Sequence, residues 1–284
     1  MKRKFFDLLF RTATCLCVVF SCAVLLAIIG FIVKQGSSAV SRAFLTGEIT
    51  GAGASGGIFY NLVGTGILLA TTFLVSAPTA LSIALLHGVY LRNYRHREKI
   101  TILLYILNGI PGILFGIVGL VVFVQWFGWG KSWLAGGILL GFMILPTVSV
   151  TLIERIASIP RKYIEAAAGL GLRQSEIVRS VILPQSAGGL ATGLLLGLAR
   201  AAGETAPIMF TATIFAGATI PNGIRENPVL SLPYHIFILA QDSYSPEVNS
   251  RLWAAALVLV ILVFAMSIVA LPARLKIHEE ADHG

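Results

Sequence analysis

The sequence reads as an all-α, polytopic transmembrane bundle of six helical spans, and three observations support this. Hydrophobic residues make up 56% of the 284 and charged ones only 12%, where a soluble domain of this size carries roughly a quarter charged. The apolar residues fall in six long runs, and about 20 residues suffice to cross a hydrocarbon core of about 30 Å. Apart from Arg200, the Lys and Arg behind the formal net charge of +8 sit in the terminal segments and in connections between those runs. Their partners are therefore membrane lipid head groups, and nucleic acid is set aside.

The first run, Thr12 to Val33, follows the basic start Lys2, Arg3, Lys4 and Arg11. A signal peptide shares that beginning, but this run exceeds a typical signal core, no small-x-small cleavage site follows, and more spans come after it. Cys15, Cys17 and Cys22 lie within it without a CxxC pair or a neighbouring His or carboxylate, and are expected to be small buried hydrophobes. Between Gly47 and Gly57, Gly51-Ala-Gly53-Ala-Ser-Gly56 has the GxGxxG spacing. That spacing binds dinucleotides only between a strand and a helix; here it reads as a flexible outer connection.

Ile58 to Leu86 is the second span, with a kink expected at Pro78. The cluster Arg92, Arg95, Arg97 and Lys99 forms a solvated loop. Ile100 to Phe127 is the third span, where Gly109, Pro111, Gly112 and Gly116 let helix backbones approach. The short turn 128–132 is flanked by Trp126, Trp129 and Trp133, residues suited to the membrane interface. Trp133 to Ile153, containing Pro146, is the fourth span. A polar loop, 154–186, precedes a fifth span over Gly188 to Gly217, and a long connection, Ala218 to Arg251, leads to the last, Leu252 to Pro272. Domain boundaries follow: 1–57 for the tail, first span and outer loop, 58–272 for the transmembrane domain, and 273–284 for a terminal tail.

Six spans put both ends on one side. The connections sharing that side hold fifteen Lys and Arg, against five (Lys34, Arg42, Lys131, Arg225 and Arg251) on the other. The bias predicts cytoplasmic termini and a cytoplasmic 154–186 loop.

That loop reads as two short helices. Arg161 to Leu170 ends near Gly169 and Gly171; Arg173 to Leu183 ends at Pro184, which lacks a helical donor. Ile164, Ala167, Ala168, Ile177, Val181 and Ile182 provide apolar faces for packing, and the expectation is a surface built to meet a partner.

Arg200 and Glu204 lie within the fifth span, where ionised groups mark a functional site by default. With that helix starting near Gly188, Arg200 comes about 18 Å into the membrane at about 1.5 Å per residue. Four residues apart, the two share a helical face and either brace the packing as an ion pair or line a path. Gly203 and Pro207 loosen the helix beside them, which suits a path. An Arg fork matches a tetrahedral oxyanion, Thr205 can add a hydroxyl, and a carboxylate accepts a hydrogen bond only from an anion that keeps a proton. Phosphate near neutral pH is such an anion, so Arg200 attracts the charge and Glu204 tests for the proton.

Glu165-Ala166-Ala167, Gly171 and Val181-x-Leu183-Pro184 resemble the EAA loop, EAA-x3-G-x9-I-x-LP, of type I ATP-binding-cassette (ABC) importer permeases, with Val181 in place of the usual Ile. The resemblance implies a MetI-like fold whose coupling helix docks on a cytoplasmic ATPase through Glu165, Ala166, Ala167, Gly171, Val181, Leu183 and Pro184. It also implies a bacterial plasma (inner) membrane location. Arg200-Ala-Ala-Gly-Glu204-Thr205-Ala-Pro207 is similar to the RALGETAP segment of phosphate-importer permeases of the PstA type. Gly56 to Thr65, Gly109 to Gly116 and Ile144 to Thr147 share the likeness. The implied partners are a second permease (PstC-like), two copies of an ATPase (PstB-like) and an external phosphate-binding protein (PstS-like). With no GxxxxGK[ST] segment, the chain is expected to be no enzyme, to bind no cofactor or metal, and to leave ATP to the partner ATPase.

Two departures from that pattern stand out. Val150-Thr151-Leu152-Ile153 replaces an Arg-Thr-Thr-Glu common in relatives, and Asn93 replaces a Glu. Arg200 is thus the one evident Arg in the path, and sulfate or molybdate stays open beside phosphate. An ion-gradient-driven secondary transporter with Arg200 and Glu204 as a proton relay is a further alternative, although the first half carries no matching ion pair. In the outer connection, His235, Gln241 and Asp242 either meet a binding protein or are simply solvated.

Overall fold

The computed structural model describes residues 2–50, 55–91, 93–241 and 245–282. Gly51, Gly53, Arg92 and Asp242 lie outside the described residues, as do the side chains of Arg274 and Lys276. Twelve helices are described: α1 (Lys2–Gly36), α2 (Arg42–Thr46), α3 (Phe59–Leu85), α4 (Tyr94–Asn108), α5 (Gly112–Gly119), α6 (Trp133–Ala157), α7 (Arg161–Gly169), α8 (Gln174–Ile177), α9 (Leu183–Ala202), α10 (Ala206–Thr211), α11 (Leu232–Gln241) and α12 (Pro246–Asp282). Two-residue strands β1 (Ile49–Thr50) and β2 (Ser55–Gly56) pair antiparallel in the first connection.

Among the described residues, five helices are long and apolar enough to cross a membrane, and the count reaches six if α4 and α5 with its extension form one broken span. The third span is therefore not the continuous helix expected. Its halves, Tyr94–Asn108 and Gly112–Trp126, meet at 93°. Pro111 causes the break: proline biases the residue before it away from helical backbone, and Gly109 ends α4.

The centre of the bundle is α3, α6 and α9. Leu68, Leu140, Met143, Ile144, Val148, Leu194 and Leu198 form its core, joined by Ile208 of α10. In lipid, such packing relies on close van der Waals fit more than on the hydrophobic effect. Accordingly, Gly189, Gly193 and Gly197 repeat every four residues along α9 and lie against Arg155, Thr151 and Val148 of α6.

The fifth span begins earlier and ends sooner than expected. Gln174 to Ala202 is one helix, so Pro184 does not stop the second loop helix. A π-helical turn at Val178–Ile182, in which Leu183 N donates to Val178 O, carries the chain past the proline. The span closes at Gly203 rather than Gly217, and a separate short helix, α10, follows.

The apolar face of the polar loop packs on the bundle itself. Ala167, Ile177, Val178 and Ile182 are buried with Ala84, Leu152 and Ile156 at the ends of α3 and α6. Burial of such a side chain at a polar end contributes roughly 1.5–3 kcal/mol for Val or Ile.

Two further expectations are corrected. The three cysteines are exposed, not buried, because α1 packs on α12 only toward its far end, where Phe31 meets Trp253 edge-on at 5.0 Å. The long outer connection is not uniformly solvated. Val229, Leu230 and Leu232 are buried, and Leu232 N donates to Thr65 Oγ1 at 3.0 Å, tying the segment to α3. His235, on α11, is also buried at 4% exposure and so offers no surface to a binding protein, whereas Gln241 is exposed.

Candidate functional site

Two helix breaks face one another in the middle of the bundle. One separates α4 from α5 at Gly109 to Pro111; the other separates α9 from α10 at Gly203 to Thr205. Small residues allow the approach. A methyl group at Gly116 of α5 would lie 2.8 Å from Ala206 O and 3.1 Å from Pro207 Cα.

Arg200 sits in the last turn of α9 and Glu204 in the break beyond it. Their closest approach is 3.7 Å, Nε to Oε1, with Arg200 40% and Glu204 25% exposed. This is a loose, partly open pair rather than a buried brace. The helix ends favour both charges: a cation in a last turn meets unpaired carbonyls, and an anion at a first turn meets unpaired N–H groups. Glu204 occupies the second situation, because a methyl on Gly112, the first residue of α5, would lie 3.1 Å from its Oε2.

Arg200 Nη1 also donates to Asn108 Oδ1 at 3.1 Å, and Thr147 Oγ1 donates to the same atom at 3.3 Å. Thr147 is near the midpoint of α6, so Arg200 lies at mid-bundle depth even though its helix starts earlier than expected. Thr205 is half-buried at the start of α10, and its side chain caps no backbone N–H. Asn108 and Thr147 join the site in addition to the residues the sequence pattern indicates. The available signal was a lone amide beside Gly-Ile-Pro in an apolar run.

The far end of α10 is held by Lys131 from the turn before α6, whose Nζ donates to Met209 O at 2.8 Å and Thr213 O at 3.3 Å. Burial lowers its pKa from the usual lysine value. Nearby, Ser132 N donates to Thr211 O at 2.9 Å, and the Trp133 indole donates to Gly223 O at 2.8 Å.

At the opposite end, α7 presents Glu165 and Ala166 outward, while Ala167 turns into the bundle. Gly171 makes the turn after α7 with φ +79°, a left-handed conformation that glycine adopts without steric cost. Leu170 stands 82% exposed beside it. Val181 and Leu183 are partly buried and Pro184 is exposed on the continuous helix. Among the described residues no cluster of His, Cys, Asp and Glu is arranged to hold a metal ion.

Residues 77–272 match the family model described as binding-protein-dependent transport system inner membrane component. The chain is 28% identical over 288 residues, 95% of each chain, to the probable ABC transporter permease protein YqgI of Bacillus subtilis (strain 168). It is 33% identical over 238 residues, 83% of this chain and 82% of the other, to the probable phosphate transport system permease protein PstA of Methanocaldococcus jannaschii. Among solved structures, it resembles an inward-facing form of the MetNI methionine ABC transporter with a TM-score of 0.57 at 19% identity, over 76% of this chain and 96% of that one, a likeness of fold.

Proposed function

This chain belongs to the family of binding-protein-dependent transport system inner membrane components, and we propose that it is the permease subunit of an ATP-driven importer of inorganic phosphate. As a family member it is a multi-pass membrane permease subunit, not an enzyme, and works with a partner permease, an ATPase and a binding protein. In the proposed system these are a PstC-like permease, two PstB-like ATPases and a PstS-like binding protein, with both termini and the α7 loop in the cytoplasm. Glu165, Ala166 and Gly171 form the surface for the ATPase. Ala167 anchors that surface to the bundle, and Val181, Leu183 and Pro184 carry its motion into the long helix.

The observation that carries phosphate is the half-open Arg200–Glu204 pair at the junction of two broken helices. Broken helices at membrane depth are tolerated where they line a cavity or pack against protein, and the guanidinium there can grip a tetrahedral anion. Glu204 repels a fully deprotonated anion and accepts the proton of hydrogen phosphate; Thr205 adds a hydroxyl. The absence of an Arg at Val150 favours keeping sulfate and molybdate as second candidates, and competition decides among them. ATP-driven phosphate uptake by the reconstituted complex is expected to fall at least tenfold with Arg200→Gln. Glu204→Gln is expected to weaken discrimination against sulfate. Unchanged uptake in the first variant would falsify the assignment of Arg200.

A further inference from the structure

Asn108 engages Arg200 with a group that carries no formal charge, and this choice has a consequence for an anion path. Its Oδ1 accepts from Arg200 Nη1 at 3.1 Å and from Thr147 Oγ1 at 3.3 Å. Two donors converging on one atom set the orientation of the amide, since the flipped form would point N–H groups at a guanidinium. The Nδ2 group is then left as a donor without an acceptor among the described residues. Arg200 directs Nε toward Glu204 and Nη1 toward Asn108, leaving Nη2 uncommitted.

We propose that Asn108 is a positioning and specificity residue of the path for a tetrahedral oxyanion, holding Arg200 by a neutral acceptor and offering its own amide N–H to the same anion. This rests on the reading that Arg200 and Glu204 line that path. Glu204 already supplies one negative charge beside the guanidinium. A second at position 108 would give the cluster a net negative charge and repel the anion. A neutral carbonyl orients the fork and is easily exchanged for an anion oxygen, because a guanidinium binds an oppositely charged oxygen more strongly than the neutral carbonyl it replaces.

The two roles open to Asn108 predict opposite orders for two variants. Asn108→Asp keeps the shape and the acceptor for Arg200 and Thr147, so a merely structural residue would tolerate it better than Asn108→Ala. The proposal requires the reverse. Phosphate uptake by the complete reconstituted importer, with assembly and binding-protein-stimulated ATP hydrolysis as controls, is expected to fall about fivefold for Asn108→Ala, from loss of one hydrogen bond. For Asn108→Asp it is expected to fall about a hundredfold, from like-charge repulsion of the anion. Asn108→Ser, neutral and still an acceptor, falls between wild type and the Ala form and stands in if the Asp form does not assemble. Uptake by the Asp form equal to or above that of the Ala form, or by the Ser form below it, overturns the proposal. Arg200→Gln in the same assay separates the two levels: wild-type uptake there removes the path reading itself. Loss there with the wrong Asn108 order removes only the role of Asn108.

Discussion

Gly116→Ala tests whether the approach of α5 to α10 builds the site. The added methyl would stand 2.8 Å from Ala206 O, 2.9 Å from Phe210 Cδ2 and 3.1 Å from Pro207 Cα. Two of those atoms are backbone and cannot rotate away, so the helices must separate by about 0.6 Å to reach ordinary contact near 3.4 Å. Alanine in a helix gains up to about 1 kcal/mol over glycine, whereas overpacking costs about 1–3 kcal/mol; strain wins. Both breaks border this contact, so Glu204 shifts relative to Asn108 and Arg200. Phosphate uptake by the reconstituted complex is expected to drop about tenfold, as such misplacement of positioned groups does, with complex assembly retained. Gly109→Ala is the control, since its methyl would lie 3.4 Å from Ile106 O and 3.7 Å from Tyr105 O, and uptake should stay near wild type. Equal effects from the two substitutions would show that the α5–α10 contact does not set the site.

Two further predictions concern the ends of the bundle. His235 lies on α11, outside the spanning helices, and its pKa is lowered from 6.5 to about 4, first by burial and then by the Arg251 charge. The unfolded chain therefore takes up this proton before the folded one: stability is unaffected above about pH 6.5, falls as pH drops toward 4, and is lower by about 3 kcal/mol below both values. Thermal inactivation between about pH 7 and pH 5 measures this, and His235→Gln should flatten the dependence; an unchanged profile would contradict a neutral buried His235. On α7, Ala167→Asp places a charge in the inner apolar cluster and should destabilise the fold by roughly 3 kcal/mol or more. Ala166→Asp, on the exposed face, should leave the permease folded while weakening co-purification of the ATPase; the reverse pattern would assign the faces wrongly.

Much of the architecture was legible because the bilayer imposes a length and a polarity that a linear pattern records. The runs beginning at Thr12, Ile58, Trp133 and Leu252 all correspond to spanning helices. The first loop helix ends within a residue of expectation at Gly169, as the two glycines foretell. Proline was the unreliable signal. Pro111 breaks a span, Pro78 and Pro146 sit inside unbroken helices, and a π-helical turn carries the chain past Pro184. The difference lies in how the surrounding helices pack around each proline, which adjacent residue types do not record. Burial of the outer connection was missed for a related reason: Leu232 gains its partner from Thr65, 167 residues away.

The amino-acid pattern alone determined that the chain is a membrane bundle and that an Arg and a Glu share a helical face inside it, because hydropathy and the four-residue helical spacing are local properties. The tertiary structure decided that this face ends at a break, that the break meets another at Gly112 and Gly116, and that Asn108 and Thr147 join Arg200 there. Those contacts bring together residues 92 positions apart in the case of Arg200 and Asn108, and only the packing of separate spans creates them.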